Sequence, residues 1–138
     1  MKRIIALDVG DVRIGIASSD MLRIIASPYE TYTCKKDDRD FEYIKEVVKK
    51  QDADTVVLGL PLNMDGTDSL QTEKVRAFKE KLATYLGEEI KLVFVDERLT
   101  SVAAEKILLE SDMSRAKRKM TIDKIAASII LDSYLKMI

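Results

Sequence analysis

Histidine is absent from this 138-residue sequence, and cysteine occurs once. Without histidine the chain can form no Ser-His-Asp or Cys-His triad, no imidazole general base and no His-ligated zinc site. The single Cys34 excludes an internal disulfide and a Cys-x-x-Cys site, and a lone thiol is typical of a reducing cytosol. Any catalysis must therefore use carboxylates, lysines, hydroxyl groups or metal ions bound by oxygen.

The sequence also lacks a strong excess of charge of one sign, long apolar runs and linkers. The 23 Lys and Arg residues nearly balance the 24 Asp and Glu residues, so a polyanionic partner must be held by local basic clusters. No apolar stretch approaches the roughly 18 residues of a membrane span, and Asp8 interrupts the apolar opening too early for a signal peptide. The sequence predicts one cytoplasmic domain over residues 1–138, with no membrane partner.

Apolar periodicity predicts five strands and four helices. The first strands, 3–9 and 12–18, are separated by the tight-turn dipeptide Gly10-Asp11, and 29–34 adds a third antiparallel strand. Two buried strands follow at 55–58, ended by Gly59, and at 90–95. The first predicted helix starts at Asp37 or Asp38, and the second starts at Asp68 or Ser69 and ends at Gly87. The third starts at Thr100 or Ser101 and reaches residue 109. The fourth starts at Thr121.

The order β-β-β-α-β-α-β-α-α predicts an α/β fold with a mixed five-stranded sheet flanked by helices. Strands joined through helices run parallel, so the strands ending near Asp8, Gly59 and Asp96 can share their carboxyl edge. Ligands bind at that edge in open α/β sheets. It collects Asp8, the loop around Asn63 and the pair Asp96-Glu97.

Three acidic positions are candidates for chemistry. Asp8 ends an apolar strand, where a charge is costly unless it is compensated, although it could simply cap the turn. Asp96 and Glu97 point to opposite faces by alternation, so only one of them can join Asp8, and both could instead be solvated or paired with Arg98. Asp123 falls in the first turn of the predicted last helix, where the macrodipole favours any carboxylate.

Together these carboxylates predict an oxygen-only site of the kind that Mg²⁺ or Mn²⁺ prefers. Two such ions roughly 4 Å apart could activate a water molecule and stabilise the leaving oxygen of a phosphodiester. This chemistry needs no imidazole base. A metal-dependent hydrolase acting on nucleic acid is therefore the predicted class.

Basic residues near these positions could hold phosphate groups. A run just before Asp123 carries four positive charges, although most such runs are solvated. Arg13 and Arg98 could be strand-end ion pairs or phosphate clamps, and the polar loop at Asn63 is longer than a simple connection needs. The basic run comprises Arg115, Lys117, Arg118 and Lys119.

Four motifs in order resemble the YqgF/RuvX family, described as Holliday junction resolvases and as pre-16S rRNA nucleases, which has a ribonuclease-H-like fold. The first is ALDVG at residues 6–10 with RIGIA at 13–17. The others are GLPLNMDG at 59–66, DERLTS at 96–101 and DKIAA at 123–127. Val12 departs from the pattern, since the family often has a lysine there.

The resemblance implies that Asp8, Glu97 and Asp123 are the acidic metal-binding and catalytic residues, with Glu97 preferred over Asp96. It implies a role in ribosome biogenesis, at the 5′ end of pre-16S ribosomal RNA, or in the resolution of branched, four-way DNA. A resolvase that cuts two strands is expected to act as a symmetric homodimer.

Two other classes compete with a nuclease. The strand-turn-strand with Asp-x-Gly also resembles the phosphate loop of actin-like and sugar-kinase ATPases, but those close two such domains over a nucleotide. A non-catalytic nucleic-acid-binding or protein-interaction module could keep the fold. Against it, clustered carboxylates repel one another and phosphate unless a cation is present.

Overall fold

The computed structural model describes residues 1–100, 102 and 115–138, with the backbone alone for 115–120. The described helices and strands follow the predicted order from β1 to the last helix. They are β1 (Arg3–Val9), β2 (Arg13–Ser19), β3 (Ala26–Thr33), α1 (Asp38–Lys50), β4 (Ala53–Leu60), α2 (Leu70–Leu86), β5 (Lys91–Asp96), a short 3-10 helix (Glu97–Leu99) and α3 (Arg115–Leu135). Among these helices, none combines the length and apolar character needed to cross a membrane.

The strands form one sheet in the order β3-β2-β1-β4-β5. β1 pairs antiparallel with β2, with Asp8 opposite Gly15, and β2 pairs antiparallel with β3. β4 and β5 run parallel to β1, because each follows the preceding strand through a helix. The predicted mixed sheet is confirmed, and the carboxyl ends of β1, β4 and β5 lie along one edge.

Side-chain alternation divides the core between the two faces of this sheet. On one face, Leu7 and Leu58 pack with residues of α1 and α2 such as Ile44. On the other, Ala6 and Val57 pack with residues of α3. Even-numbered residues of β1 therefore point to the α3 face, and Asp8 is one of these residues.

The starts of α1 and α2 follow from side-chain caps. Asp37 accepts a hydrogen bond from the backbone of Arg39. The Ser69 side chain accepts one from the backbone of Thr72, and the backbone N–H of Ser69 donates to the Thr72 side chain. Of the predicted alternatives, Asp37 and Ser69 are thus the caps, and Gly87 (φ 82°) ends α2 as predicted.

Several predicted boundaries are wrong. β3 begins at Ala26 instead of residue 29, because residues 26–28 already pair with β2. β4 continues through Gly59 to Leu60, because both residues pair with β5. The last helix begins at Arg115 instead of Thr121, since the basic segment is made of strong helix formers. Asp123 consequently lies in the third turn of α3, where the macrodipole gives little support to a carboxylate.

The predicted helix at 100–109 lies outside the described residues apart from Thr100 and Val102. Thr100 is the C-cap of the 3-10 helix. Val102 is helical and buried in the core cluster beneath α3.

Candidate functional site

Three carboxylates from distant parts of the sequence line one cavity at the carboxyl edge of the parallel strands. Asp8 lies near the end of β1, Glu97 directly follows β5, and Asp123 lies on α3. Each of these residues is partly buried. We call this space of about 290 Å³ the acidic cavity. Its other lining residues are Val9, Gly10, Asp11, Pro61 and Gln71.

Strand alternation explains why Glu97, and not Asp96, lines the acidic cavity. Val93 and Val95 of β5 pack on the α3 face, whereas the even-numbered residues of this strand pack against α1 and α2. Asp96 continues the even series. Glu97 lies beside Gly59 on the α3 face, where an added Cβ atom on Gly59 would be 3.2 Å from Glu97 Cγ and Cδ.

Asp96 is instead engaged by Arg98. Arg98 Nη2 lies 2.7 Å from Asp96 Oδ2, and these hydrogen bonds hold the pKa of the Asp96 carboxyl below its usual value. Arg98 Nη1 also donates to the backbone oxygen of Met64 at 3.2 Å. The guanidinium thereby joins the loop after β4 to the end of β5, and Arg98 does not line the acidic cavity.

Asn63 closes the loop that follows β4. Its Nδ2 donates to Thr67 Oγ1 at 3.0 Å, and its backbone oxygen accepts a bond from Gly66 at 2.8 Å. Gly66 has a positive φ of 88°, which favours glycine in this tight turn. Asn63 is exposed and outside the acidic cavity, so its role in nucleic-acid binding stays a prediction.

Arg13 forms an ion pair with Asp123. Arg13 Nε lies 2.7 Å from Asp123 Oδ2, and the two side chains are 24% and 19% exposed. Gly15, on the same strand, permits a close approach of α3, because an added Cβ atom would lie 1.8 Å from the backbone oxygen of Asp123. Of the two roles that the sequence left open for Arg13, the structure contains the ion pair.

The chemistry of the donors fits a hard divalent cation, since the three side chains offer only oxygen. Their arrangement is not a finished ligand set. Within the part of the chain that the structure describes, no group of three or more Asp, Glu or Cys side chains is placed to hold a metal ion. Asp123 would have to share its oxygen atoms between Arg13 and the cation. The three residues thus provide suitable ligands that a bound ion would still have to draw together.

The basic run begins α3, the helix that carries Asp123. Arg115 precedes Asp123 by eight residues, which is about two helical turns. The side chains of the run lie outside the described residues, so the predicted phosphate contacts of Arg115, Lys117, Arg118 and Lys119 stay predictions.

Gln71 was not predicted from the sequence. It lines the acidic cavity, and its Nε2 donates to the backbone oxygen of Val9 at 3.1 Å. Gln71 is the second residue of α2, the helix that follows the loop after β4. A polar residue in the first turn of a helix that follows a parallel strand is the sequence signal for such a position.

Residues 2–137 match the family model described as "RuvX: Holliday junction resolvase". The chain belongs to this family. Proteins named "Putative pre-16S rRNA nuclease" are similar to it over almost their full length. The relative from Fusobacterium nucleatum is 47% identical over 138 residues, covering 99% of both chains. That from Caldanaerobacter subterraneus is 51% identical over 134 residues, covering 96% of this RuvX-family chain and 95% of the relative.

Solved structures of RuvC share the fold. RuvC of T. thermophilus in complex with a Holliday junction substrate aligns with a TM-score of 0.57 and 12% identity, over 99% of this chain and 95% of that one. A second Thermus thermophilus RuvC structure aligns with a TM-score of 0.56 and 9% identity. At these identities the likeness concerns the fold alone, and it confirms the ribonuclease-H-like architecture expected of the RuvX family.

Proposed function

We propose that this RuvX-family protein is a metal-dependent cytoplasmic nuclease that hydrolyses phosphodiester bonds in structured nucleic acid, and that its substrate is the 5′ end of pre-16S ribosomal RNA. The observation that carries the proposal is the convergence of Asp8, Glu97 and Asp123 on one cavity. The names of its relatives support the substrate.

Asp8, Glu97 and Asp123 would hold Mg²⁺ or Mn²⁺. When bound, such an ion supplies an activated water and neutralises charge on the leaving oxygen. The protein fixes two of its ligands in place through the backbone, because Asp8 lies within β1 and α3 is docked on Gly15. Arg13 orients Asp123 and offsets the mutual repulsion of the three carboxylates.

Substrate phosphates would be held by basic residues outside the acidic cavity. The basic run of α3 is the first candidate, since it shares a helix with Asp123. Further candidates are Asn63, on the loop after β4, and Arg98, on the 3-10 helix that contacts this loop. Contacts of this kind position the strand without reading its sequence.

A second candidate function is resolution of four-way DNA junctions. The description of the matching family favours it. Because a resolvase must cut two strands, this function predicts a symmetric homodimer with two acidic cavities.

A third candidate is a nucleic-acid-binding module without catalysis. It is favoured by the ion pair between Arg13 and Asp123 and by the absence, within the described residues, of a group of acidic side chains already placed to hold a metal. This module would bind RNA or DNA equally well with and without Mn²⁺.

One experiment separates the three candidates. Purified protein is incubated with Mg²⁺ or Mn²⁺ and either a pre-16S RNA 5′ fragment or a four-way DNA junction, beside the variants Asp8→Asn and Asp96→Asn. We expect cleavage of the RNA fragment, its loss in Asp8→Asn and its retention in Asp96→Asn. Preferential cleavage of the junction would establish the resolvase, and binding without any cleavage would establish the module.

A further inference from the structure

A second cavity adjoins the acidic cavity on the other face of the sheet. Its volume is about 360 Å³, and it lies between the end of β1, α1 and α2. We call it the flanking groove. Both cavities are lined by Val9, Gly10, Asp11 and Gln71, so they meet at the end of β1 and the β1–β2 turn. A chain-like ligand that occupies one cavity can therefore continue into the other.

The floor of the flanking groove is apolar. It contains Ile14, Phe41 and Phe78, and the two phenylalanine rings lie 4.8 Å apart between centroids. Ala77, an exposed residue of α2, adds a small side chain to the wall. Aromatic and aliphatic side chains of this kind suit the flat face of a nucleobase, which would replace the Lys81 ammonium group that now lies 5.0 Å from the centroid of the Phe41 ring.

The rim of the groove carries three lysines, Lys36, Lys74 and Lys81. Lys74 and Lys81 make exposed ion pairs with aspartates, with N–O distances of 3.1 and 2.9 Å. Among the described residues, Lys36 has no acidic partner for its ammonium group. Exposed pairs contribute little stability and exchange readily, so the rim can offer cations to a phosphate.

The aspartates that line the groove already have partners. Asp37 binds Arg39, and Asp11 binds Lys74. The buried carboxylate of Asp40 accepts three hydrogen bonds, from the Tyr32 hydroxyl and from the backbone N–H groups of residues 35 and 36. These contacts stabilise the three carboxylates, and the three lysines of the groove balance their charge. The cation left for a phosphate is therefore Lys36, whose ammonium group has no acidic partner among the described residues.

The backbone of Lys36 is held in a conformation that favours glycine or asparagine. Its φ is 64°, in the left-handed region, and its N–H donates to Asp40 Oδ2 at 3.0 Å. A lysine at such a position costs conformational free energy that asparagine would lower. This cost is consistent with a role for the ammonium group at the rim of the groove.

We infer that the flanking groove is a subsite for one unpaired nucleotide of the strand whose phosphodiester bond lies in the acidic cavity. The base rests on the apolar floor and its phosphate faces Lys36. The inference rests on the proposed nuclease function and narrows its substrate to nucleic acid with an unpaired nucleotide beside the bond that is cut. A paired base cannot enter, because it would first have to leave its stack.

The first test measures binding to two oligonucleotides that share one duplex. One carries an unpaired extension containing 2-aminopurine, and the other is blunt. Asp8→Asn protein keeps both strands intact, and Ala77→Trp fills the groove in that background. We expect Ala77→Trp to bind the extended duplex about tenfold more weakly, with loss of the 2-aminopurine fluorescence change, and to bind the blunt duplex unchanged. Ala83→Trp, at another exposed position of α2, is the matched control and should match the parent on both.

The second test separates function from folding at the rim. Lys36→Asn should melt at the same temperature as the parent or higher, because the left-handed backbone suits asparagine, and yet bind the extended duplex more weakly. Lys35→Asn removes the same charge from an adjacent exposed residue that does not line the groove. It should weaken binding less. Equal weakening by both variants would mean that the groove contributes only general positive charge, and would overturn the inference.

The inferred subsite and the proposed nuclease activity can be refuted independently of each other. If wild-type protein cleaves the extended strand while Ala77→Trp binds and cleaves it as the parent does, the subsite is refuted and the nuclease stands. If no cleavage occurs but Ala77→Trp abolishes the preference for the extended duplex, the subsite stands and the nuclease is refuted. RNA and DNA versions of the extension identify which sugar the groove accepts.

Discussion

The acidic cavity and the flanking groove share four lining residues, Val9, Gly10, Asp11 and Gln71, yet each takes its remaining residues from a different face of the same sheet. On the α3 face the residues are carboxylates from β1, the 3-10 helix and α3. On the α1–α2 face they are aromatic and aliphatic side chains with lysines at the rim. Strand alternation thus lets one sheet edge place a site suited to cations beside a site suited to a base. Under the proposed function, chemistry belongs to the acidic cavity and recognition of the base to the flanking groove, and each role can be tested alone.

The largest effect is expected from Asp8→Asn, which removes a charge from the acidic cavity. Cleavage should vanish, while the metal-free protein should be as stable as the parent or more so, because repulsion among the carboxylates is relieved. Mn²⁺ should raise the melting temperature of the parent much more than that of the variant. Thermal melts with and without Mn²⁺, run beside a cleavage assay, check this. An active variant that responds fully to Mn²⁺ would refute the proposed mechanism.

Substitutions of the neighbouring residues Asp96 and Glu97 test which of the two side chains acts on the α3 face of the sheet. Glu97→Gln should abolish metal-dependent cleavage, because Glu97 lines the acidic cavity. Asp96→Asn should keep most of the activity, since Asp96 contacts Arg98. Single-turnover cleavage rates of both variants give the ranking. The reverse order would show that Asp96 supplies the third carboxylate.

Replacing Lys117, Arg118 and Lys119 with alanine tests whether recognition extends beyond the two cavities. The variant should fold but bind duplex DNA with a flatter salt dependence, since each lost phosphate contact lowers the log–log slope by about 0.9. Affinities measured over a series of salt concentrations give the slope. If it does not change, the basic run is an ordinary solvated surface.

Two arginine–aspartate pairs at the same edge allow a matched comparison of stability. Arg13→Gln should lower the free energy of unfolding by about 1–2 kcal/mol, because its partner Asp123 is partly buried and loses a charged hydrogen bond. Arg98→Gln should cost less, since its ion pair joins residues only two apart in the chain and links no distant segments through Asp96. Denaturant titrations of both variants measure the difference. Equal losses would show that Arg13 does not hold Asp123 more strongly than a surface pair would.

The smallest effect is expected for the chemical reactivity of Cys34, which lines the flanking groove. Burial raises the pKa of its thiol to about 11, so the thiol is neutral at pH 8 and becomes a thiolate only as the pH rises toward that value. Alkylation by iodoacetamide at pH 8 should be roughly a hundredfold slower than in the unfolded protein, because the thiolate is the nucleophile. The rate should increase up to about pH 11. A rate at pH 8 equal to that of the unfolded control would mean that the groove is more polar than its lining indicates.

Local patterns in the sequence predicted most of the fold. β1 and the caps Asp37 and Ser69 follow from nearby residues, and the shared carboxyl edge follows from the order of strands and helices. The start of α3 was wrong because a basic segment resembles a loop in charge, whereas its residues are helix formers.

Contacts between distant segments could not be predicted. Arg13 and Asp123 are 110 residues apart, and no sequence pattern links a strand-end arginine to one particular carboxylate. The flanking groove arises where α1 packs beside α2, so its size depends on the distance between two helices. That Asp8, Glu97 and Asp123 share one cavity was predictable, because each stands at the end of a patterned segment or within a recognisable motif.

The close packing of α3 on Gly15 determines when the acidic cavity is completed during synthesis and folding of the protein. Because α3 docks against this glycine, Asp123 reaches the acidic cavity only after β2 and the last described helix have come together. A chain still leaving the ribosome already contains Asp8 and Glu97, but it lacks the third carboxylate. Under the proposed function, a newly made molecule would therefore be inert toward the nucleic acid that surrounds it until α3 has docked on β2, and its activity would begin when that contact forms.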